Sequence, residues 1–329
     1  MRKLSDPRTT LETVSRYGFD FHKRFGQNFL VDESVILHTL EAAKVGRNDV
    51  VFEIGPGIGT LTQYLSEAAF RVVSIEIDRK LIPILEETLS GCGNVNVINE
   101  DVLKVDLAEL ARTYHAGRGT SPAPGGGGVS PGSPDTDPGG GAVRTAGAGG
   151  EEALHTLKIV ANLPYYITTP ILMSLFRKKV PAQSITVMVQ KEVADRMCAQ
   201  PGGKDYGSLS VAVQYYSAPK IVELVPPSSF IPHPKVTSAV VTMELYEELP
   251  VQAQDEELFD AIVRAAFGQR RKTLVNALSS ATPGPFGKEQ IAGALGRLGF
   301  SPSIRGEKLT VRDFAALADL LGESAGRRN

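Results

Sequence analysis

The sequence predicts an open, mostly parallel α/β sheet of seven strands, the last of them antiparallel, closed by a small C-terminal helical domain. Three observations carry this prediction. Short apolar runs alternate with helically spaced ones between residues 50 and 245, a glycine-rich turn follows the first run, and no strand pattern survives beyond about Asp255. At 329 residues, with 42% hydrophobic and 22% charged side chains, the chain has room for about two domains.

Residues 50–54 (VVFEI) form a buried strand, 55–59 a glycine turn, and 60–69 the opening of a helix. The next strand is 71–76. Leu81, Ile84, Leu85 and Leu89 then stand at helical spacing, and strands follow at 94–98, 157–161 and 184–189. The runs at 220–225 and 237–245 are joined through Pro226, Pro227, Pro232 and Pro234, close enough to pair antiparallel. Beyond them 258–267, 273–278, 289–298 and 312–321 have helical periodicity. The domain bounds expected from this pattern are an N-terminal extension at 1–22, a main domain at 23–250 and a helical domain at 251–329.

One segment departs from the pattern. Residues 117–150 hold 13 Gly and 5 Pro with no aromatic, Leu or Ile. Such a stretch cannot bury enough apolar surface to offset its ordering entropy, so it is expected to loop out as a disordered insertion that catalysis does not need.

Composition excludes several classes. Two cysteines, Cys92 and Cys198, are too few for a disulfide framework and read as buried thiols in a reducing compartment. No apolar run approaches the ~18 residues of a membrane helix, and the amino terminus lacks the apolar region of a secretory signal. A cytoplasmic protein without membrane contact is expected. A net charge of −2 excludes nucleic-acid binding through overall charge but leaves room for a local basic patch.

In doubly wound sheets ligands bind beyond the carboxyl ends of the strands. Here the first such turn is Glu53-Ile-Gly55-Pro-Gly57-Ile-Gly59, with glycines at i, i+2 and i+4 rather than the i, i+2, i+5 of the dinucleotide fingerprint. That spacing disfavours a dinucleotide oxidoreductase, and no hydride-site residues suggest themselves. Glu76 ends the second strand, where a carboxylate can accept hydrogen bonds from both ribose hydroxyls, and Asp101 follows the third, placed to hold an adenine amine. An acid after a strand is ordinarily a helix cap or a solvated turn. Three at successive strand ends behind a glycine turn point to a ligand. The Gly-x-Gly-x-Gly turn with its upstream acid resembles motif I of S-adenosylmethionine-dependent methyltransferases.

After the fourth strand comes Asn162-Leu163-Pro164-Tyr165, similar to the (Asp/Asn/Ser)-Pro-Pro-Tyr motif of methyltransferases that modify exocyclic amines. An aromatic amine is planar, its lone pair delocalised into the ring, and it is a poor nucleophile. The Asn162 side-chain oxygen and the Leu163 carbonyl can hold the amine hydrogens and favour a pyramidal nitrogen. Pro164 removes a competing donor, and Tyr165 offers a stacking face. No general base is needed first, because the proton becomes acidic only after methylation.

Together Phe25-Gly-Gln-Asn28-Phe-Leu30, Glu53-Ile-Gly-Pro-Gly57, Asn162-Leu-Pro-Tyr165, Phe230-Ile-Pro-His-Pro-Lys-Val-Thr-Ser238 and Phe267-Gly-Gln-Arg-Arg-Lys-Thr-Leu274 resemble the bacterial 16S ribosomal RNA adenine dimethyltransferases from about residue 23 to 321. The resemblance implies a Rossmann-like methyltransferase sheet, S-adenosylmethionine as methyl donor with S-adenosylhomocysteine as product, and no metal. It implies N6-dimethylation of two adjacent adenines in the 3'-terminal hairpin loop of 16S rRNA, a step of 30S ribosome biogenesis, by a monomer. By motif match Asn28, Leu30, Gly55, Gly57, Glu76, Asp101 and Asn162 would contact the cofactor. Asn162, Leu163, Pro164 and Tyr165 would hold the amine and its base, with Phe230 facing Tyr165 across a flipped adenine. Alternatives are a large-subunit dimethyltransferase of the antibiotic-resistance type and a non-catalytic RNA-binding assembly factor on the same fold. Residues 262–312 carry nine Lys or Arg against two acids. Arg270, Arg271 and Lys272, with Lys23 and Arg24 beside the first motif, are the expected RNA anchors.

Overall fold

A computed structural model describes residues 2–18, 28–118, 155–281 and 286–326. Along the chain, α1 (Pro7–Arg16) is capped by Asp6, whose carboxylate accepts from the Arg8 and Thr9 amides. The two-residue β1 (Phe29–Leu30) and α2 (Glu33–Ala42) precede the first long strand, β2 (Asp49–Ile54). Then α3 (Thr60–Ala68), β3 (Arg71–Glu76), α4 (Ile82–Thr88), β4 (Val95–Asn99) and α5 (Leu107–Thr113) alternate as expected. A short β5 (Ala116–Gly117) leads to β6 (His155–Asn162), α6 (Thr168–Arg177), β7 (Ser184–Gln190), α7 (Lys191–Cys198) and α8 (Ser208–Tyr216). The edge strand β8 (Ser217–Val225), the short β9 (Phe230–Ile231) and β10 (Ser238–Leu245) come next. Helices α9 (Glu256–Gly268), α10 (Leu274–Ser279), α11 (Lys288–Arg297) and α12 (Val311–Gly326) follow.

The long strands lie in the order β4-β3-β2-β6-β7-β10-β8, with β5 added beside β6. From β4 to β7 every pair is parallel, and β10 runs antiparallel to both β7 and β8. The chain therefore starts mid-sheet at β2, moves outward through β3 and β4, and crosses back to β6 on the other side of β2. The gap between the carboxyl ends of β2 and β6 is the topological switch point, where ligands bind in such sheets. Central strands are buried on both faces, and β2 has no exposed residue, which is why Val50, Val51, Phe52 and Ile54 do not alternate with polar residues and its two acids, Asp49 and Glu53, are buried. Lys158 and Asp49, both buried, meet at 2.9 Å and satisfy one another across the β2–β6 pair.

The structure departs from the sequence expectations in several places. The N-terminal extension is a packed element where described: Leu4 and Val14 join Phe29, Ile58, Leu81, Ile84, Leu85 and Leu89 in one buried cluster, and the Leu4 amide donates to Gln63 Oε1 at 3.1 Å. The C-terminal helical core reaches back across the expected boundary at 250, because Tyr206, Val211 and Tyr215 of the α8 region pack with Phe259, Leu274, Leu295 and Phe314. Cys92 and Cys198 are half-buried rather than buried.

The expected insertion needs a correction at its start. Gly117 is not looped out but pairs with Thr156 in the β5–β6 ladder, and the Arg118 guanidinium donates to the Tyr246 carbonyl at 2.5 Å. Pairing beats entropy there because Ala116 and Gly117 pair with His155 and Thr156 at the start of β6, before its ladder with β7 begins at Lys158. The rest of the expected insertion, from 119 onward, lies outside the described residues. Since Gly117 and Thr156 are already ladder partners, a short linker replacing 119–150 spans almost no distance, and loop-closure entropy changes by only ~0.6 kcal/mol per doubling of length. Such a deletion is expected to keep the thermal midpoint and to hold turnover within about twofold of the full chain.

Candidate active site

A cleft of about 1090 Å³, counting its open mouth, lies at the switch point. Its walls bring together Asn28, Leu30, Gly55, Gly57, Glu76, Asp101 and Asn162 to Tyr165, residues that stand far apart in the chain. Every long strand from β4 to β6 contributes the turn at its carboxyl end. The β1–β9 ladder, Phe29 opposite Ile231 and Leu30 opposite Phe230, holds the segment 28–30 over the same opening.

The glycine turn is shaped by positive φ angles at Gly55 (70°), Gly57 (62°) and Gly59 (95°), a region that residues with a Cβ rarely adopt. At Gly57 a Cβ would also come within 3.2 Å of the Phe29 ring. This lets the backbone form the cleft floor directly.

The acids play different parts. Glu53 is buried, and its Oε2 accepts from Thr62 Oγ1 and Ser74 Oγ, each at 2.7 Å. Its Oε1 and the Thr60 hydroxyl oxygen, both on residues lining the cleft, are buried and have no hydrogen-bond partner among the described residues. Glu76 accepts from the Asp78 amide at 2.8 Å and the Gly57 amide at 3.4 Å. Asp101 accepts from the Leu103 amide at 3.0 Å and sits at the rim, half-buried. Burial pushes both Glu53 and Glu76 up to about 7.

A carboxyl raised from 4.5 in the unfolded chain to about 7 in the folded one holds its proton more tightly when folded. Its contribution to stability is fully present below about pH 4.5 and is lost as pH rises through about 7. The free protein is therefore expected to lose thermal stability between about pH 5 and 8, and Glu53→Gln to flatten that dependence in a melting series.

Asn162 ends β6, and its side-chain Nδ2 reaches the Asn28 carbonyl at 3.5 Å. Leu163 is buried and its amide donates to the Met188 carbonyl at 3.1 Å. Pro164 opens a turn closed by the Ile167 amide and the Thr168 hydroxyl, both donating to its carbonyl at 3.2 and 3.1 Å. The Tyr165 hydroxyl lies 2.7 Å from Ser238 Oγ at the start of β10, and burial pushes the phenol up.

Phe230, expected opposite Tyr165, is not among the residues that line the cleft. Its ring is 1% exposed and packs with Leu30, Val35, Ile36, Val225 and Val240, outside the cleft walls. The ladder with Leu30 turns it inward, so its place is core. Ile77, Val102 and Tyr166, which the sequence did not single out, also line the cleft. Each stands directly after a residue that it did, and a wall one residue longer at each strand end would have included them.

Among the expected RNA anchors, Lys23 and Arg24 lie outside the described residues. Arg270 is a correction in part: its guanidinium donates to the Lys204 carbonyl at 2.8 Å and the Tyr206 carbonyl at 3.1 Å, with Glu307 at 3.7 Å. It ties the helical domain to the loop before α8. Arg271 and Lys272 are exposed and make no ion pair among the described residues. Of the wider basic set, Arg264 pairs with Asp260 and Arg297 with Glu323.

The sequence matches a family model described as ribosomal RNA adenine dimethylase over residues 18–294. It is 47% identical to a ribosomal RNA small subunit methyltransferase A of Lachnoclostridium phytofermentans over 324 residues, 98% of this chain and 99% of the relative. A protein of the same name from Streptococcus mutans is 43% identical over 326 residues, 98% of both chains. Among solved structures, a dimethyladenosine transferase from Plasmodium falciparum shares the fold with a TM-score of 0.63 at 24% identity, over 88% of this chain and 95% of that one.

Proposed function

Because the chain belongs to the ribosomal RNA adenine dimethylase family, we propose that it dimethylates N6 of two adjacent adenines in the 3'-terminal hairpin loop of 16S rRNA, in the 30S subunit or its precursor. It is a methyltransferase, and its methyl donor is S-adenosylmethionine. The observation that carries the reading is the meeting of the glycine turn and its acids with Asn162–Tyr165 in one cleft.

The cleft suits this cofactor. Glu53 Oε1 and the Thr60 hydroxyl leave buried polar atoms for a polar ligand to satisfy, and the Gly57 cradle is a place that a Cβ would fill. Glu76 would accept from the ribose hydroxyls, Asp101 from the adenine amine, and Ile77 and Val102 would flank the adenine ring. When bound, S-adenosylmethionine supplies an electrophilic sulfonium methyl group.

The remaining work falls to the chain itself. Asn162 Oδ1 and the Leu163 carbonyl accept the two amine hydrogens and draw the nitrogen toward a pyramid whose lone pair faces the open side. Pro164 offers no competing N–H, and Tyr165, held by Ser238, gives a fixed ring face to the base. A base stacked in a duplex cannot reach this depth, so the substrate adenine comes from an unpaired loop or is flipped out.

The test is to incubate the enzyme with labelled cofactor and small subunits from a strain lacking the modification, then map the labelled nucleotides. Label on two adjacent adenines near the 3' end of 16S rRNA supports the reading; label on large-subunit RNA or none overturns it. The proposed substrate places the site of action in the cytoplasm, where bacterial ribosomes are assembled. No described helix is long and apolar enough to cross a membrane.

Arg271 and Lys272 are the RNA contacts that this surface offers next to Arg270. Replacing both with alanine is expected to reduce the slope of log affinity against log salt by about one for each phosphate no longer neutralised, with stability unchanged. Arg270→Ala should instead lower the melting temperature, because two carbonyls lose their donor. A salt slope that stays put in the double variant moves the RNA face elsewhere.

A further inference from the structure

We infer that Ser238 is a positioning residue for the methylated base: through the Tyr165 hydroxyl it fixes the plane on which the adenine stacks, and the second methyl transfer to each adenine depends on that plane. The inference rests on the functional reading above, since only an enzyme that adds two methyl groups to one nitrogen has a second transfer.

Ser238 cannot touch the substrate. It is 0% exposed and is not among the residues that line the cleft, whereas Tyr165 is. Any part it takes is therefore taken through the residue it holds, and its Oγ lies 2.7 Å from the Tyr165 hydroxyl. Ser238 is also a firm anchor. As the first residue of β10 it stands opposite Gln190 of β7 and Val225 of β8, and the Thr237 carbonyl before it accepts from the Lys191 amide at 3.0 Å. Tyr165 itself stands in a turn rather than a strand. The two bonds to the Pro164 carbonyl fix the backbone of that turn but not the ring, whose hydroxyl makes its one side-chain hydrogen bond among the described residues with Ser238.

The two transfers need the ring unequally. In the first, Asn162 Oδ1 and the Leu163 carbonyl hold both amine hydrogens, so the nitrogen is oriented even on a loose stack. That transfer forms an N–C bond as the C–S bond of the sulfonium breaks, the electron pair staying on sulfur, and the proton made acidic by methylation leaves to solvent. One hydrogen then remains for two acceptors. Orientation of the nitrogen in the second transfer falls more on the stack, whose plane the Tyr165–Ser238 bond sets.

The test follows single-turnover methylation of small subunits lacking the modification, with mono- and dimethyladenine resolved after digestion, in wild type, Ser238→Ala, Tyr165→Phe and the double variant. The dissociation constant of S-adenosylmethionine and the melting temperature are measured for each. Ser238→Ala removes one neutral hydrogen bond and is expected to slow the second transfer about three- to tenfold and the first by no more than about twofold, so that monomethyladenine accumulates. Tyr165→Phe removes the same bond from the other side and should do the same, and the double variant should be no worse than either single one. Cofactor affinity should stay within about twofold throughout. Should a single variant fail to fold, the double variant, which leaves neither hydroxyl unpaired, carries the same expectation. An unchanged second transfer, equal slowing of both transfers, losses that multiply in the double variant, or a parallel loss of cofactor affinity overturns the inference. A wild-type enzyme that leaves the adenine pair unmodified overturns the functional reading and this inference with it.

Discussion

Asn162→Ala is expected to lower kcat by about 10³-fold while leaving affinity for the small subunit within about threefold, measured by single-turnover methylation and equilibrium binding. The reason is geometric. Asn162 is the last residue of β6, a strand paired on both sides, and its Nδ2 turned toward the Asn28 carbonyl leaves Oδ1 as the acceptor at the cleft. The Leu163 carbonyl beside it is held because the Leu163 amide is pinned to Met188 on β7. Two rigid acceptors can hold both amine hydrogens; one cannot set the nitrogen's geometry. Preorganised groups of this kind are typically worth ~10²–10³ in rate when one is removed. RNA affinity comes mainly from phosphate contacts away from the amine, so it should survive. Turnover that persists in Asn162→Ala would remove the residue from its assigned role.

Gly57→Val is expected to abolish detectable cofactor binding and to lower the melting temperature. A β-branched residue at φ 62° is strained on its own account. The added Cβ would meet Phe29 Cδ1 and Cε1 at 3.2 Å, and that ring cannot retreat because it is buried against Ile58, Leu81 and the N-terminal Leu4. Relief would displace Asn28 and Leu30, the neighbours of Phe29 on the cleft wall, or the Gly57 amide that donates to Glu76. Each route damages the same binding surface. Gly93→Ala is the matched control, since Gly93 is exposed, has an ordinary φ and no atom within 4 Å of its would-be Cβ. Calorimetric titration with S-adenosylmethionine distinguishes the two; full affinity in Gly57→Val would remove the glycine turn from the cofactor site.

Much of the site was legible because its parts follow regular strands. Gly55, Gly57, Glu76, Asp101 and Asn162 each stand at or just past a strand's carboxyl end, and a doubly wound sheet sends all those ends to one side. Phe230 was not legible in the same way. An aromatic before a proline-rich loop can point to cleft or core, and only its pairing with Leu30 in a two-residue ladder decided for the core. Arg270 belongs to a basic run that reads as an RNA anchor, and its carbonyl partners at Lys204 and Tyr206 lie more than sixty residues earlier. The helix at Pro7–Arg16 was missed because its only buried residues are Thr10, Thr13 and Val14, too weak a stripe for periodicity to reveal.

By itself the sequence determined the alternation of strands and helices, the glycine turn, the acids beyond the strand ends and the Asn162–Tyr165 tetrapeptide, because these depend on local periodicity and residue chemistry. The tertiary structure alone decided the placement of β10 between β7 and β8, the packing of the N-terminal segment against α3 and α4, the inward turn of Phe230 and the exposure of Tyr166. Those outcomes depend on which distant surfaces meet, and burial is a property of the meeting rather than of either segment.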